Sequence, residues 1–164
     1  MDTIRYPRLP DYGCILRWPE DGTGFIHPED IEPARHCMLN LRVFRRDEFR
    51  GGFYRCSYGE LRFRLRPCLW FPVRGEGLDI GDYVETVGVG MSRDMLIGRI
   101  EEMHFDRPGR CIRYQLNRRG KLMPNRFLAS ELRLVETKQN CSLIAVENAD
   151  VRIEPDRSAL ANGL

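Results

Sequence analysis

Flat rings and guanidinium forks recur together in the first part of this chain. Trp18, Phe25 and Phe44 supply the rings, and Arg17, Arg42, Arg45 and Arg46 supply the forks, with Arg62 and Arg64 following in the segment ELRFRLRP. The chemistry open to such a set is non-covalent. A ring face stacks on an unpaired base for about 1–3 kcal/mol, and a guanidinium pairs with phosphate in a fixed planar geometry. These nine residues are therefore the candidate nucleic-acid-binding set, with RNA or single-stranded DNA as the partner. The same residue types have a second use. Phe and Trp in strands commonly fill cores, and an Arg-rich strand face is commonly solvated and paired with acids, here Asp47, Glu48 and Glu60. Exposure decides between the two uses, and a pattern of residues does not carry exposure.

Covalent chemistry finds no foothold. His27, His36 and His104 lie far apart and form no H-E-x-x-H arrangement. The cysteines Cys14, Cys37, Cys56, Cys68, Cys111 and Cys141 contain no C-x-x-C pair, so no metal site is predicted. The Gly-rich VGVGMSRD at 87–94 lacks the Lys-Ser/Thr of a phosphate-binding loop. No base stands beside a nucleophile such as Cys56. The expectation is a non-catalytic protein without metal or cofactor.

Composition bounds the partners. The 164 residues are 42% hydrophobic and 30% charged, which is ordinary for a folded globular chain and far from the disordered regime. Net charge is only +2, because 24 acidic residues offset 26 basic ones. All the basic residues except Lys121 and Lys138 are Arg, which suits phosphate and is also what a GC-rich genome produces without functional demand. The N-terminus MDTIRYPRLPDY lacks the apolar core of a signal peptide, so free thiols in a cytoplasmic protein are expected. No apolar run reaches the roughly 18–20 residues of a membrane helix, and no membrane partner is predicted.

The elements that must position these residues are mostly strands. In ELRFRLRP, Leu61, Phe63 and Leu65 alternate with Arg62, Arg64 and Arg66, the two-residue period of a half-buried strand. Similar runs occur at 12–18, 23–27, 41–45, 68–73, 82–89, 95–105, 111–116 and 126–135, separated by turn residues. In CLWFPV, adjacent Trp70 and Phe71 fall on opposite faces. Helix is limited to a turn or two in 28–39, where Pro33 interrupts, and to a 3₁₀ turn near Ala129–Leu132. The fold class is mainly β: two small β-barrels, OB- or SH3-like, in tandem with little helix. The predicted units are 1–77 as an OB/cold-shock-like or SH3-like barrel, 78–136 as an SH3-like barrel, and 137–164 as a hairpin or partly ordered tail. No strong internal repeat is visible.

Two resemblances sharpen this. The opening IGDYV (80–84), the Gly98-to-Ile100 step, IRYQL (112–116), the turn NRRGK and the closing RFLASELRLV resemble an SH3-like barrel of the Tudor or KOW kind. That resemblance implies a fourth strand running through a 3₁₀ turn into a last strand, with Phe127 and Leu132 in the core. It leaves function open between nucleic acid, peptide and neighbouring domain. Residues 12–45 resemble a cold-shock domain. Gly13, Ile15 and Trp18 fit its first strand, Gly22, Gly24, Phe25 and Ile26 its second, Pro28 and Asp30 the turn, and Val43 and Phe44 the third. Thr23 stands where that family carries its first stacking aromatic. The implied function is single-strand binding by the N-terminal barrel. The alternative is a protein-interaction or scaffold module, in which the SH3-like half docks a peptide, the first half or a second copy.

Overall fold

Alternating apolar residues do become strands, in a mainly β structure described for residues 11–20, 24–87 and 95–136 by a computed structural model. The expectations for Gly22 and Thr23, for the Gly-rich stretch after Val87 and for the 137–164 tail lie outside the described residues. Strands β1 (Asp11–Cys14), β2 (Phe44–Arg50), β3 (Phe53–Tyr58), β4 (Leu61–Leu65) and β5 (Phe71–Val73) form one antiparallel sheet in the order β4-β3-β2-β1-β5. Strands β6 (Tyr83–Thr86), β7 (Ile97–Asp106), β8 (Cys111–Arg118), β9 (Lys121–Phe127) and β10 (Leu132–Glu136) form a second, in the order β10-β6-β7-β8-β9. Each sheet sets its last strand beside its first. Each also enters that last strand through a 3₁₀ turn, Pro67–Leu69 in one and Ala129–Glu131 in the other. The halves share a strand order that no sequence repeat announces.

Of the cold-shock-like strand expected at 23–27, the described residues 24–27 form no extended strand. Ile26 makes a single bridge to Leu65, flanked by His27 N–H donating to Arg64 O and Arg66 N–H donating to Phe25 O. Pro28 has no N–H to continue the pairing, and a 3₁₀ turn (Pro28–Asp30) leads into helix α1 (Ile31–Met38). Pro33 falls in the first turn of α1, where backbone N–H groups have no intrahelical acceptor in any case, so two turns are tolerated. β1 consequently pairs directly with β2, through Tyr12 opposite Arg45 and Gly13 opposite Phe44. Strand β3 is absent from the sequence expectation although Tyr54, Cys56 and Tyr58 alternate with Arg55 and Ser57 and pack against the α1-side cluster. No helix among the described residues is long and apolar enough to cross a membrane.

Two buried clusters result. α1 covers one face of the first sheet through Ala34 and Cys37, which join Ile15, Ile26, Phe44, Phe63 and Leu65. The opposite face gives Tyr12, Cys14, Val43 and Val73 to a second cluster with Val84, Ile100, Ile112, Tyr114 and Leu116 of the second sheet. Phe127 and Leu132 are buried there, as the strand–3₁₀–strand pattern implies. Trp70 and Phe71 do divide between faces, Trp70 against the α1-side cluster and Phe71 against the shared one. The sheets are also joined through backbone, by an Arg42–His104 bridge and a 2.8 Å bond from Val43 N–H to Met103 O.

Gly13 stands at a close approach between β1 and the Trp70–Phe71 segment. A Cβ built there would lie 2.7 Å from the Trp70 ring and 2.7 Å from the Phe71 carbonyl oxygen. Gly13→Ala is expected to destabilise the fold by about 1–3 kcal/mol, since an added methyl in a filled core forces backbone shifts. Gly24→Ala, with no atom within 4 Å of the new methyl, is the control and should be nearly neutral in the same chemical-denaturation measurement.

Candidate nucleic-acid interface

The first sheet disperses the ring-and-fork set. Phe44 is 1% exposed and edge-packed between Phe63 and Trp70, at ring-centroid distances of 4.9 and 5.5 Å, so it offers no face to a base. Its inclusion in the stacking set is corrected: the alternation of β2 turns it into the cluster beneath α1. Arg42 is corrected as well. It is 9% exposed and its two terminal nitrogens are committed inside the molecule. Arg45 spans Asp47 at 2.6 Å and Asp79 at 2.8 Å. Arg46 pairs with Asp11 and lies over the rings of Tyr54 (4.5 Å) and Trp70 (5.6 Å). Arg64 is clamped by Asp30 at 2.6 Å and Glu29 at 2.9 Å.

What remains exposed in this half is scattered. Arg17 is open to solvent, Trp18 is half-buried beneath the Arg35 guanidinium at 5.3 Å, and Phe25 is 44% exposed beside the β4 edge. Arg62 is exposed and donates to the Gly59 and Leu61 carbonyls. A groove of about 470 Å³ on this sheet mixes Arg55, Arg62 and Arg64 with Asp30, Asp47 and Glu48. Such alternation of sign cancels the field that would draw in a phosphate backbone.

Arg42 instead organises a buried polar chain between the sheets. Its Nη1 donates to His36 Nε2 at 2.7 Å and to the His36 carbonyl at 2.9 Å, while Nη2 donates to Glu102 Oε1 at 3.0 Å. The other Glu102 oxygen meets His104 Nε2 at 2.8 Å, and His104 Nδ1 meets the Asn40 carbonyl at 3.1 Å. That carbonyl is presented by Asn40 and Leu41, both left-handed at φ 57° and 51°, a strained pair held in place by the contact. Burial pushes the Glu102 carboxyl up, but Arg42 and His104 outweigh it and hold it below the usual glutamate range. The groups face one another inside the fold, so the chain orients the sheets and has no open position for a substrate.

Thiols and possible metal ligands are similarly engaged. Burial pushes the Cys14 thiol up to about 11 and the Cys37 thiol up to about 12, and Cys56 is raised further, so none is activated as a thiolate. His27, Glu29 and Asp30 bring ligand atoms within 4.8 Å of one another. The Arg64 guanidinium already occupies both carboxylates, and a cation would have to displace it.

The second sheet presents a different outer face. Ile112, Tyr114 and Leu116 of β8 point inward, leaving Arg113, Gln115 and Asn117 outward. Directly paired residues continue a row across four strands: Tyr83 on β6, Arg99 on β7, Asn117 on β8 and Leu122 on β9. At one end lies a groove of about 530 Å³, lined among others by Tyr83, Met95, Ile97, Arg99, Arg118 and Arg119, with no carboxylate among the described residues of its wall. At the other end a groove of about 480 Å³ holds Arg107, Arg113 and Arg126, with Asp106 bound to Arg113 at 3.1 Å. Arg107, Arg118, Arg119, Lys121 and Arg126 have no carboxylate partner among the described residues, whereas Arg99 pairs with Glu101 at 2.9 Å. None of these cations was singled out from the sequence. The signal was the alternation of CIRYQLNRR, which reads outward on one side as Arg, Gln and Asn.

The buried chain makes a pH prediction. A carboxyl held below its unfolded value of about 4.3 contributes stability that is complete above that pH and is lost as pH falls through the lower folded value. Glu102→Gln should therefore lower stability at pH 7 by about 3–5 kcal/mol, because it strands the Arg42 charge, and should flatten the acid limb of a stability-against-pH curve. Equal acid limbs in the variant and the parent would refute that assignment.

No curated protein and no solved structure matches the chain. The family described as "Family of unknown function (DUF6960)" matches residues 5–133, most of the length and all but the last few residues of the second sheet, and the chain belongs to that family.

Proposed function

We propose that this is a non-catalytic, cytoplasmic protein of two tandem SH3-like barrels, units 1–77 and 78–136, whose second sheet binds single-stranded RNA or DNA on its outer face. The shared strand order and the 3₁₀ turn before each last strand support the barrel reading. The observation that carries the ligand is a set of cations with no carboxylate partner among the described residues: Arg126 on the outer face opposite Gln115, Arg107 in the β7–β8 turn, and Arg118, Arg119 and Lys121 at the β8–β9 hairpin. Guanidinium groups without carboxylate partners are free to replace counterions on phosphate. Strand β8 separates the two grooves by about 20 Å at ~3.3 Å per residue, enough for a short stretch of extended strand. The single-strand function expected of the N-terminal rings thus moves to the other half.

A second reading rests on a separate observation. Met95 is 62% exposed and Ile97 49%, beside the same guanidinium groups. An acidic peptide carrying apolar side chains would match that groove, which is the interaction-module alternative.

Fluorescence anisotropy with a labelled mixed-sequence 12-mer separates them. Binding at 50 mM salt should weaken steeply by 200 mM, and the double variant Arg118→Ala/Arg119→Ala should reduce the slope of log K against log salt by about 1.4, at ~0.7 per single-strand phosphate. Phe25→Ala and Arg62→Ala should leave affinity within about twofold, since stacking and phosphate pairing are placed elsewhere. No binding at 50 mM salt would overturn the nucleic-acid reading, and saturable binding of an acidic peptide in its place would favour the alternative.

A further inference from the structure

We infer that the groove at the Tyr83 end of the second sheet is the seat of this chain's own segment 143–150, bound in cis. A segment seated there keeps a single strand off that end of the face. The seat follows from the groove itself, whereas the exclusion rests on the single-strand reading.

Strand β10 delivers the chain to the groove. Its last residue, Glu136, is paired with Tyr83, which lines the groove wall. The sequence TKQNCS then leads to Leu143. Seven residue steps at ~3.3 Å each give that segment a reach of roughly 23 Å. From Tyr83 on β6 to Asn117 on β8 is two strand spacings, roughly 10 Å, so a segment attached at Glu136 spans the whole groove. A tether this short holds its segment at an effective concentration in the millimolar range, which favours the chain's own copy over that of a second molecule.

The segment matches the groove in order as well as in kind. Tyr83, Met95 and Ile97, all exposed, gather apolar surface on the side nearest β10, and such a cluster marks an interaction site. Arg118 and Arg119 stand on the far side, at the β8–β9 hairpin, with no carboxylate partner among the described residues. Arg99 lies between them and is already held by Glu101 at 2.9 Å. Along the chain from Glu136, the apolar run Leu143, Ile144, Ala145 and Val146 comes first, and the acids Glu147 and Asp150 follow. Led across the sheet from its exit at Tyr83, the apolar run meets Met95 and Ile97, and the carboxylates then arrive at the two free guanidinium groups. Glu154 and Asp156 continue the acidic character with Arg152 as the one base among them, so the charge of the segment complements the hairpin. The guanidinium groups engaged in this way are those that would otherwise pair with phosphate.

Amide NMR spectra and oligonucleotide anisotropy on the full chain test this. Leu143→Ser/Ile144→Ser removes the apolar part of the segment without adding charge, and should shift the amides of Gly98, Arg99, Asn117 and Arg119 while leaving those of Cys56 and Phe63 in place. Leu160→Ser, later in the same tail, is the control and should move none of them. The groove amides of the parent should keep their positions across about a twentyfold dilution, as a tethered segment requires. The double variant should bind the labelled oligonucleotide about fivefold more tightly than the parent, the factor expected when the segment leaves the groove open about a fifth of the time. Groove amides unmoved by Leu143→Ser/Ile144→Ser, or moved by dilution of the parent, would overturn the seat in cis and leave the single-strand reading to its own titration. Moved amides with unchanged affinity would overturn the exclusion. Moved amides with no oligonucleotide bound by either chain would uphold the seat and remove the single-strand reading.

Discussion

Strand β1 is four residues long and both of its faces are buried, and the rest of the molecule depends on that. Tyr12 and Cys14 turn toward the second sheet, while Gly13 lets the Trp70 ring close over the opposite side. A strand so short contributes few hydrogen bonds, so its position is set by what it separates. It divides the cluster beneath α1 from the cluster shared with the second sheet. Any residue with a side chain at position 13 would push those layers apart, and the shared cluster would lose its central wall.

Carboxylates decide which Arg residues can act at a distance. On the first sheet four guanidinium groups sit within salt-bridge reach of acids, Arg45 with Asp47 and Asp79, Arg46 with Asp11, Arg55 with Glu48 and Arg64 with Glu29 and Asp30, while Arg62 and Arg66 donate to backbone carbonyls. Exposed pairs of this kind add little to stability, but each pair cancels its own field. The β8–β9 region of the second sheet carries cations in excess of acids, so a near-neutral chain still contains one basic face. Net charge averages over this asymmetry and conceals it.

The buried Arg42–Glu102–His104 chain belongs with the sheet packing and not with a reaction. It joins the segment after α1 to β7 at the backbone bridge, where polar groups enclosed between two sheets require partners. Arg42 looked like a phosphate ligand in the sequence because it stands beside Arg45 and Arg46. Its neighbour in space is 60 positions away, a relation that local spacing cannot express.

The sequence by itself determined the class of fold, the one-sided set Leu61/Phe63/Leu65, a strand over 111–116, the two-turn limit on α1 and the 3₁₀ turn before β10, because period and turn chemistry are local properties of the chain. It also suggested strong pairing at 23–27, where Pro28 and the following helix prevailed. Only the tertiary structure decided that Phe44 is enclosed, that the Arg ridge of β4 is clamped by Glu29 and Asp30, that the two sheets share a strand order and a core, and that unpaired cations gather on the second sheet. Each of those facts is a distance between residues far apart along the chain. Burial and charge pairing are set by what folding brings alongside a residue, so its type and its sequence neighbours leave them open.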